Sequence, residues 1–198
     1  LTLNDGQHLP QIGFGTWPLD DAQSQTAVQA ALACGYRLID TAARYGNETG
    51  VGRGIIASGV ARADVQLTSK LRGSEHGFDS TLRAFDATLA ALKTDYLDLY
   101  LIHQPFGDYY GEWRAMEKLH TAGRIGAIGV SNFAPDRLVD LIQFSTIVPA
   151  VNQMETNPFH QQTDYQELLT AEGVVLEAWA PFAEGKNDLF SNPVLTAI

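Results

Sequence analysis

The sequence predicts a parallel α/β fold, and a closed (β/α) barrel rather than an open doubly wound sheet, on three observations. Short β-branched apolar runs alternate with longer stretches of helical period, and a strand that is followed each time by a helical crossover must pair in parallel. No Pro/Gly-rich linker or composition break divides the 198 residues, so one domain spans 1–198. Strand after strand stays apolar until its C-terminal end, where a polar or reactive residue stands: Thr16 and Trp17, Asp40, Lys70, His103, Ser131 and Asn132, Gln153 with Glu155 and Asn157, and Trp179. In a barrel those ends meet on one rim, where barrel enzymes carry their sites. In an open sheet, ends so far apart in strand order would not share a crevice.

The elements follow in chain order. Residues 3–10 predict a small hairpin turning at Asn4-Asp5-Gly6, and 12–16 a first strand. Asp20 and Asp21 cap a helix that runs to Ala33 and stops at Gly35, where a left-handed residue is wanted. A strand over 37–41 leads to a helix over 48–58 closed by Gly59, then to a strand over 65–70. Leu82, Phe85, Leu89 and Leu92 give helical spacing to 79–92, and 97–103 is a near-continuous apolar strand of the buried parallel kind. A helix over 110–121 and a strand over 125–130 follow. Ala134-Pro135 then opens a helix to Phe144, with Pro early enough that its missing N–H does no harm. A strand over 150–155, a helix over 164–171 stopped by Gly173, and a strand over 174–180 complete seven strands.

Composition removes several classes of function. With 45% hydrophobic and 18% charged residues the chain has the makings of a core, which excludes disorder as its main state. Thirteen Lys and Arg against 23 Asp and Glu leave a net charge of −10, which argues against a nucleic-acid-binding surface. Cys34 is the only cysteine and cannot form an internal disulfide, and no CxxC or HExxH spacing suggests a metal. No apolar run approaches the roughly 20 residues of a membrane span, and the N-terminus lacks the regions of a signal peptide. A soluble, cytoplasmic protein with no metal, membrane or nucleic-acid partner is expected.

Asp40, Tyr45, Lys70 and His103 stand at or just past the ends of three successive strands, so parallel pairing brings them together. A tyrosine with a pKa of about 10 is a poor acid near neutrality. A neighbouring ammonium stabilises its phenolate and makes proton donation to a carbonyl oxygen feasible. Lys70 is that cation, with Asp40 as its counter-charge, since a buried ammonium without a partner is costly. His103 shares the parity of Leu97, Leu99 and Leu101 and can donate a hydrogen bond to the same oxygen. No side chain supplies hydride, so the mechanism calls for a nicotinamide cofactor. Ser131, Asn132 and Gln153 can hold its carboxamide, and Trp179 can stack on its ring.

Gly13-Phe14-Gly15-Thr16-Trp17, Gly35-Tyr36-Arg37-Leu38-Ile39-Asp40-Thr41-Ala42 with Tyr45-Gly46-Asn47-Glu48, Thr68-Ser69-Lys70-Leu71, 97–103 and 126–133 together resemble the aldo-keto reductases, in order and over essentially the whole chain. It is similar in particular to the bacterial branch related to 2,5-diketo-D-gluconate reductases. This resemblance implies a (β/α)8 barrel that reduces small aldehydes or ketones with NADPH, a monomer at full length. It places Asp40, Tyr45, Lys70 and His103 on the family's catalytic tetrad, Ser131, Asn132 and Gln153 on its carboxamide contacts, and Thr16 and Asp40 beside the cofactor. Trp179 falls on its ring-stacking aromatic, more often Tyr, and Trp17 and Gln104 on the substrate pocket. Where many relatives carry Trp after the histidine, this chain has Gln104, so a preference for bulky aromatic substrates is not carried over. The family's last strand and helices, with the basic segment for the cofactor's 2′-phosphate, have no counterpart before Ile198, which falls inside what should be the next helix. The sequence is therefore expected to be an incomplete barrel of about seven of eight βα units, since such barrels typically need about 250 residues.

Single residues have ordinary readings. Asp40 with Lys70 can be a structural ion pair, His103 a satisfied core histidine, Asn132 a helix cap, Trp17 and Trp179 packing residues, and Trp113 core with Met116 and Leu119. Four tetrad residues at strand ends, in matching context, outweigh those readings. Gly50-x-Gly52-x-Gly54 superficially resembles a dinucleotide fingerprint but does not directly follow a strand, so close helix packing is expected there. His8, His76, His120 and His160 share no ligand spacing and are expected on the surface. Two rivals stand beside the reductase. One is a Schiff-base lyase using Lys70, disfavoured because Asp40 keeps that amine charged. The other is a catalytically silent nicotinamide-binding regulatory or structural protein on the same fold.

Overall fold

Alternating apolar strands and amphipathic crossovers give, in the computed structural model, which describes residues 1–198, seven parallel strands in sequence order. These are β1 Gly13–Gly15, β2 Leu38–Asp40, β3 Gln66–Leu71, β4 Leu97–Ile102, β5 Ile125–Ser131, β6 Val151–Glu155 and β7 Val175–Trp179. Six helices connect them: α1 Asp21–Ala33, α2 Glu48–Ser58, α3 Phe78–Leu92, α4 Tyr109–Thr121, α5 Pro135–Phe144 and α6 Thr163–Ala171. The sheet is strongly curled. β2 and β6 lie four strands apart, about 19 Å in a flat sheet, yet Gln153 Nε2 approaches Asp40 Oδ2 to 2.9 Å. The architecture is a partial (β/α)8 barrel with β1 and β7 as its edges.

Side-chain parity sorts the sheet into two cores. Ile39, Leu67, Leu71, Tyr100, Ile102, Ile128 and Val130 face outward and pack against the helices in one cluster. Leu38, Leu99, Leu101, Ala127 and Val151 face inward and meet Leu3 and Leu9 of the N-terminal segment. That segment is held to the N-terminal ends of the strands by Asn4 Nδ2 on Pro149 O at 3.0 Å and by Gln7 on Gly126 O. It therefore plugs the end of the barrel opposite the rim.

Several boundaries differ from the sequence reading for local reasons. The small hairpin forms about Asn4-Asp5-Gly6, with Leu3 N–H on Gln7 O at 2.8 Å and Leu9 N–H on Leu1 O at 2.9 Å, but it starts at Leu1 and has a single ladder bridge, Thr2 with His8. β1 is only three residues long, and β2 stops at Asp40, where Thr41 turns to meet the loop. Asp20 alone caps α1, in a capping box with Gln23, while Asp21 is its first helical residue and binds Arg53 instead. No α-helix follows β7. Three short 3-10 turns, Ala183–Gly185, Leu189–Ser191 and Leu195–Ala197, occupy that stretch. His120 is half-buried rather than on the surface, with Nδ1 3.1 Å from Ile125 O.

The glycine run in α2 does what helix packing demands. A Cβ on Gly50 would stand 1.9 Å from Asp21 O of α1, one on Gly54 2.7 Å from Gln25 O, and one on Gly52 2.5 Å from Leu92 O of α3. Backbone faces backbone, so nothing can swing aside. We expect Gly50→Ala to cost about 2–3 kcal/mol of stability by forcing α1 and α2 apart. Gly73→Ala, with open space around its Cβ, serves as the control and should stay within about 0.5 kcal/mol. Urea unfolding midpoints measure both, and equal midpoints would remove the packing role.

Candidate active site

Lys70 is the longest side chain on the inner face of β3 and is 1% exposed. Its ammonium lies 2.5 Å from Asp40 Oδ1, 3.0 Å from Thr41 O and 3.5 Å from Tyr45 Oη. Asp40 ends β2, and Tyr45 ends a single 3-10 turn, Ala43–Tyr45, that follows it. Gly46 at φ 72° then redirects the chain into α2. His103 stands one residue past β4, and its ring meets Tyr45 edge to face at 5.7 Å between centroids. The four residues expected to act together do converge.

Their electrostatics follow from burial against one cation. Burial pulls the Lys70 pKa down, but Asp40, then Tyr45 and Glu177, push it further the other way, so it ends above the ordinary lysine value. The ammonium is charged near neutrality, and all three of its contacts accept from it. Burial, with Lys70 adding to it, drives His103 down to about 4 against the pull of Asp40, so the imidazole is neutral near neutrality. Its Nδ1 is buried without a protein partner. Tyr45 corrects the expectation of a lowered value. Burial outweighs the stabilising Lys70 charge, Asp40 adds to burial, and the phenol ends above its ordinary pKa.

The remaining rim residues form a second ladder. Ser131 Oγ donates to Gln153 O at 2.9 Å. Asn132, at φ 61°, places Nδ2 3.1 Å from His103 O and 3.0 Å from Ser131 Oγ, and its Oδ1 accepts Trp179 Nε1 at 2.9 Å. It does not cap α5, whose N-cap is Ala134. Gln153 Nε2 bridges Asp40 Oδ2 at 2.9 Å and Glu177 Oε1 at 3.0 Å, joining this ladder to the tetrad. Trp17 is 61% exposed and lies against Tyr45 at 5.1 Å, so it is a rim wall and no core residue. Thr16 is fully buried with its hydroxyl on Asp40 O at 3.1 Å, so it bears on the site through the Asp40 backbone. Gln104 is half-buried beside His103, and its side chain makes no hydrogen bond to the others.

Two residues of the site escaped the sequence reading. Asn47 is fully buried; it accepts from the Thr41 hydroxyl at 2.9 Å and donates to Thr16 O at 3.1 Å and Leu19 O at 2.9 Å, clamping the loops that carry Asp40 and Tyr45. Glu177 shares the parity of Val175 and Trp179 on β7, and that alternation was the signal for an inward carboxyl.

The model of the Aldo/keto reductase family matches residues 11–191. A glyoxal reductase of Bacillus subtilis is 46% identical over 200 residues, which are 100% of this chain and 72% of the relative. The crystal structure of an aldo/keto reductase from Brucella melitensis superposes with a TM-score of 0.95 at 45% identity, over 100% of this chain and 77% of that one. That of a Bombyx mori aldo-keto reductase in complex with NADP superposes with a TM-score of 0.87 at 35% identity, over 91% and 66%.

The His103 environment gives a testable pH effect. An unfolded histidine takes up its proton near its ordinary value of 6.5, whereas in the fold it does so only near 4. Between those values the unfolded chain binds more protons, so this residue makes stability fall as the pH drops from about 6.5 toward 4. We expect His103→Gln to flatten that part of the curve of urea midpoint against pH. An unchanged slope in the variant would assign the titration elsewhere.

Proposed function

The chain belongs to the aldo/keto reductase family, and from that premise we propose an NADPH-dependent reductase of small aldehydes or ketones, with Tyr45 as the proton donor. Membership makes it an oxidoreductase on a nicotinamide-using scaffold. When bound, a dihydronicotinamide supplies hydride to the carbonyl carbon, which no side chain can do. The residues present suit such a group. Gln153 Oε1 makes no hydrogen bond within the protein, Ser131 and Asn132 present hydroxyl and amide atoms beside it, and Trp179 offers an indole whose N–H is already tied to Asn132. The NADP held by the Bombyx mori relative supports the choice of cofactor.

One observation carries the reading: a single buried ammonium touches both the Asp40 carboxylate and the Tyr45 hydroxyl, beside a neutral His103. Tyr45 is protonated near neutrality, the form a donor needs, and Lys70 stabilises the phenolate left once the proton has moved to the carbonyl oxygen. Asp40 keeps Lys70 charged throughout. A neutral imidazole can donate an N–H to the same oxygen and hold it within reach of Tyr45. The lyase reading loses ground for the same reason, because the Lys70 nitrogen is protonated and engaged by three acceptors.

Trp17 and Gln104 border the substrate side, Trp17 as an exposed aromatic and Gln104 as an uncommitted amide, which favours small or polar carbonyl compounds. The likeness to the diketogluconate reductase branch belongs with this proposal. So do action as a monomer and a cytoplasmic location, the latter fitting an exposed free Cys34. No helix is long and apolar enough to cross a membrane.

NADPH oxidation over a panel of small aldehydes and ketones tests the proposal. Turnover by the wild type supports it, whereas cofactor binding with no turnover on any carbonyl favours the silent alternative. Tyr45→Phe should lower kcat about 10²–10⁴-fold with cofactor affinity kept. Near-normal reduction by that variant would sink the assignment of the donor.

A further inference from the structure

One acidic side chain inside the barrel takes no part in the proton transfer. Glu177 is paired in register with Gln153 of the neighbouring strand. The residue as a whole is half-buried because β7 is an edge strand, but its Oε2 is sealed from solvent and has no partner. Burial, then the negative charge of Asp40, pushes its pKa up to about 7, against Lys70 and the Gln153 hydrogen bond. Nothing in the packing requires an acid at this position, and an apolar residue there would avoid the desolvation cost.

What the carboxyl does is hold Gln153. A glutamine amide has two N–H donors at one end and a carbonyl at the other. A single hydrogen bond leaves the amide free to turn about it. Two acidic acceptors on the same nitrogen, Asp40 Oδ2 at 2.9 Å and Glu177 Oε1 at 3.0 Å, fix both which end points at them and the plane of the group. Ionised or protonated, Glu177 keeps an acceptor oxygen, so the constraint survives its titration. The Gln153 carbonyl oxygen is then the one polar atom of that side chain left for a ligand.

We propose that Glu177 is a positioning residue: it takes the second N–H of Gln153 and so presents the Gln153 carbonyl oxygen to the carboxamide N–H of a nicotinamide cofactor. This rests on the cofactor reading above. Asp40 already serves Lys70 through Oδ1 and Gln153 through Oδ2, so the second N–H of the amide needs another acceptor, and Glu177 supplies it.

The test titrates NADP+ into the full chain and follows tryptophan fluorescence, Trp179 being hydrogen-bonded to Asn132 on the same ladder. Glu177→Leu should weaken binding about tenfold, the size of one hydrogen bond to a charged partner. Glu177→Gln, whose amide oxygen can still accept, should stay within about threefold of the wild type. In the background of Gln153→Ala, Glu177→Leu should add nothing, because the residue acts only through that amide. The thermal midpoint of Glu177→Leu should equal or exceed that of the wild type, which separates positioning from folding. Wild-type affinity in Glu177→Leu, or effects of Glu177→Leu and Gln153→Ala that add, would overturn the proposal. Glu177→Thr, too short to reach Gln153, makes the same comparison if Glu177→Leu does not fold. A wild type that binds no nicotinamide cofactor would instead overturn the cofactor reading, and this inference with it.

Discussion

The constraint on which the site depends is the Lys70 ammonium sealed inside the barrel. Moving such a charge from water into a protein interior costs several kcal/mol even after relaxation, and only close partners offset it. The chain supplies them from one short segment: Asp40 Oδ1, Thr41 O and Tyr45 Oη. Asp40 is paired with Thr68, so Lys70 stands two residues further along β3 and its long stem leans toward the end of β2. Once that cation is fixed, the states of its neighbours follow. His103 is kept neutral by burial and by the same positive charge, and burial raises Tyr45 above its ordinary pKa despite that charge, so the phenol keeps its proton near neutrality.

The fold delivers this arrangement through parity and through close approach. The inner face is apolar where Leu38, Leu99, Leu101, Ala127 and Val151 meet the plug of Leu3 and Leu9, and polar one step nearer the rim, where Asp40, Lys70, Gln153 and Glu177 lie. The curl that brings β2 and β6 together lets Gln153 reach Asp40. On the outside, the glycines of α2 let α1 and α3 come to backbone distance, and Asn47 at the head of that helix ties the β1 and β2 loops together. Helix packing and site geometry are therefore mechanically joined at 40–50.

Much of this was legible in the sequence because it follows from period and parity. All six helices fall within one or two residues of their expected bounds, and His103 points as Leu99 and Leu101 do. What was not legible needs three dimensions. Nothing in the sequence marks Asn47 as buried, yet its amide joins three loop groups and makes no cap bond. Glu177 has the inward parity of Val175 and Trp179, but its contact with the Gln153 amide emerges only from the curled sheet. The upward shift of Tyr45 depends on how deeply the phenol is buried, which a list of neighbouring charges does not contain. The Asn4-Asp5-Gly6 turn announces the hairpin that forms, but not that Leu3 and Leu9 bury their side chains in the end of the barrel.

If the Lys70 charge and its carboxylate govern the site as a unit, stability measurements on Asp40→Asn, Lys70→Met and the double variant test it most directly. Asp40→Asn leaves an ammonium that is 1% exposed without its anion, so it should cost more than Lys70→Met, which strands a carboxylate that keeps 16% of its surface and the Gln153 bond. The account predicts that adding Lys70→Met to Asp40→Asn restores part of the lost unfolding free energy. A double variant less stable than Asp40→Asn alone would contradict it.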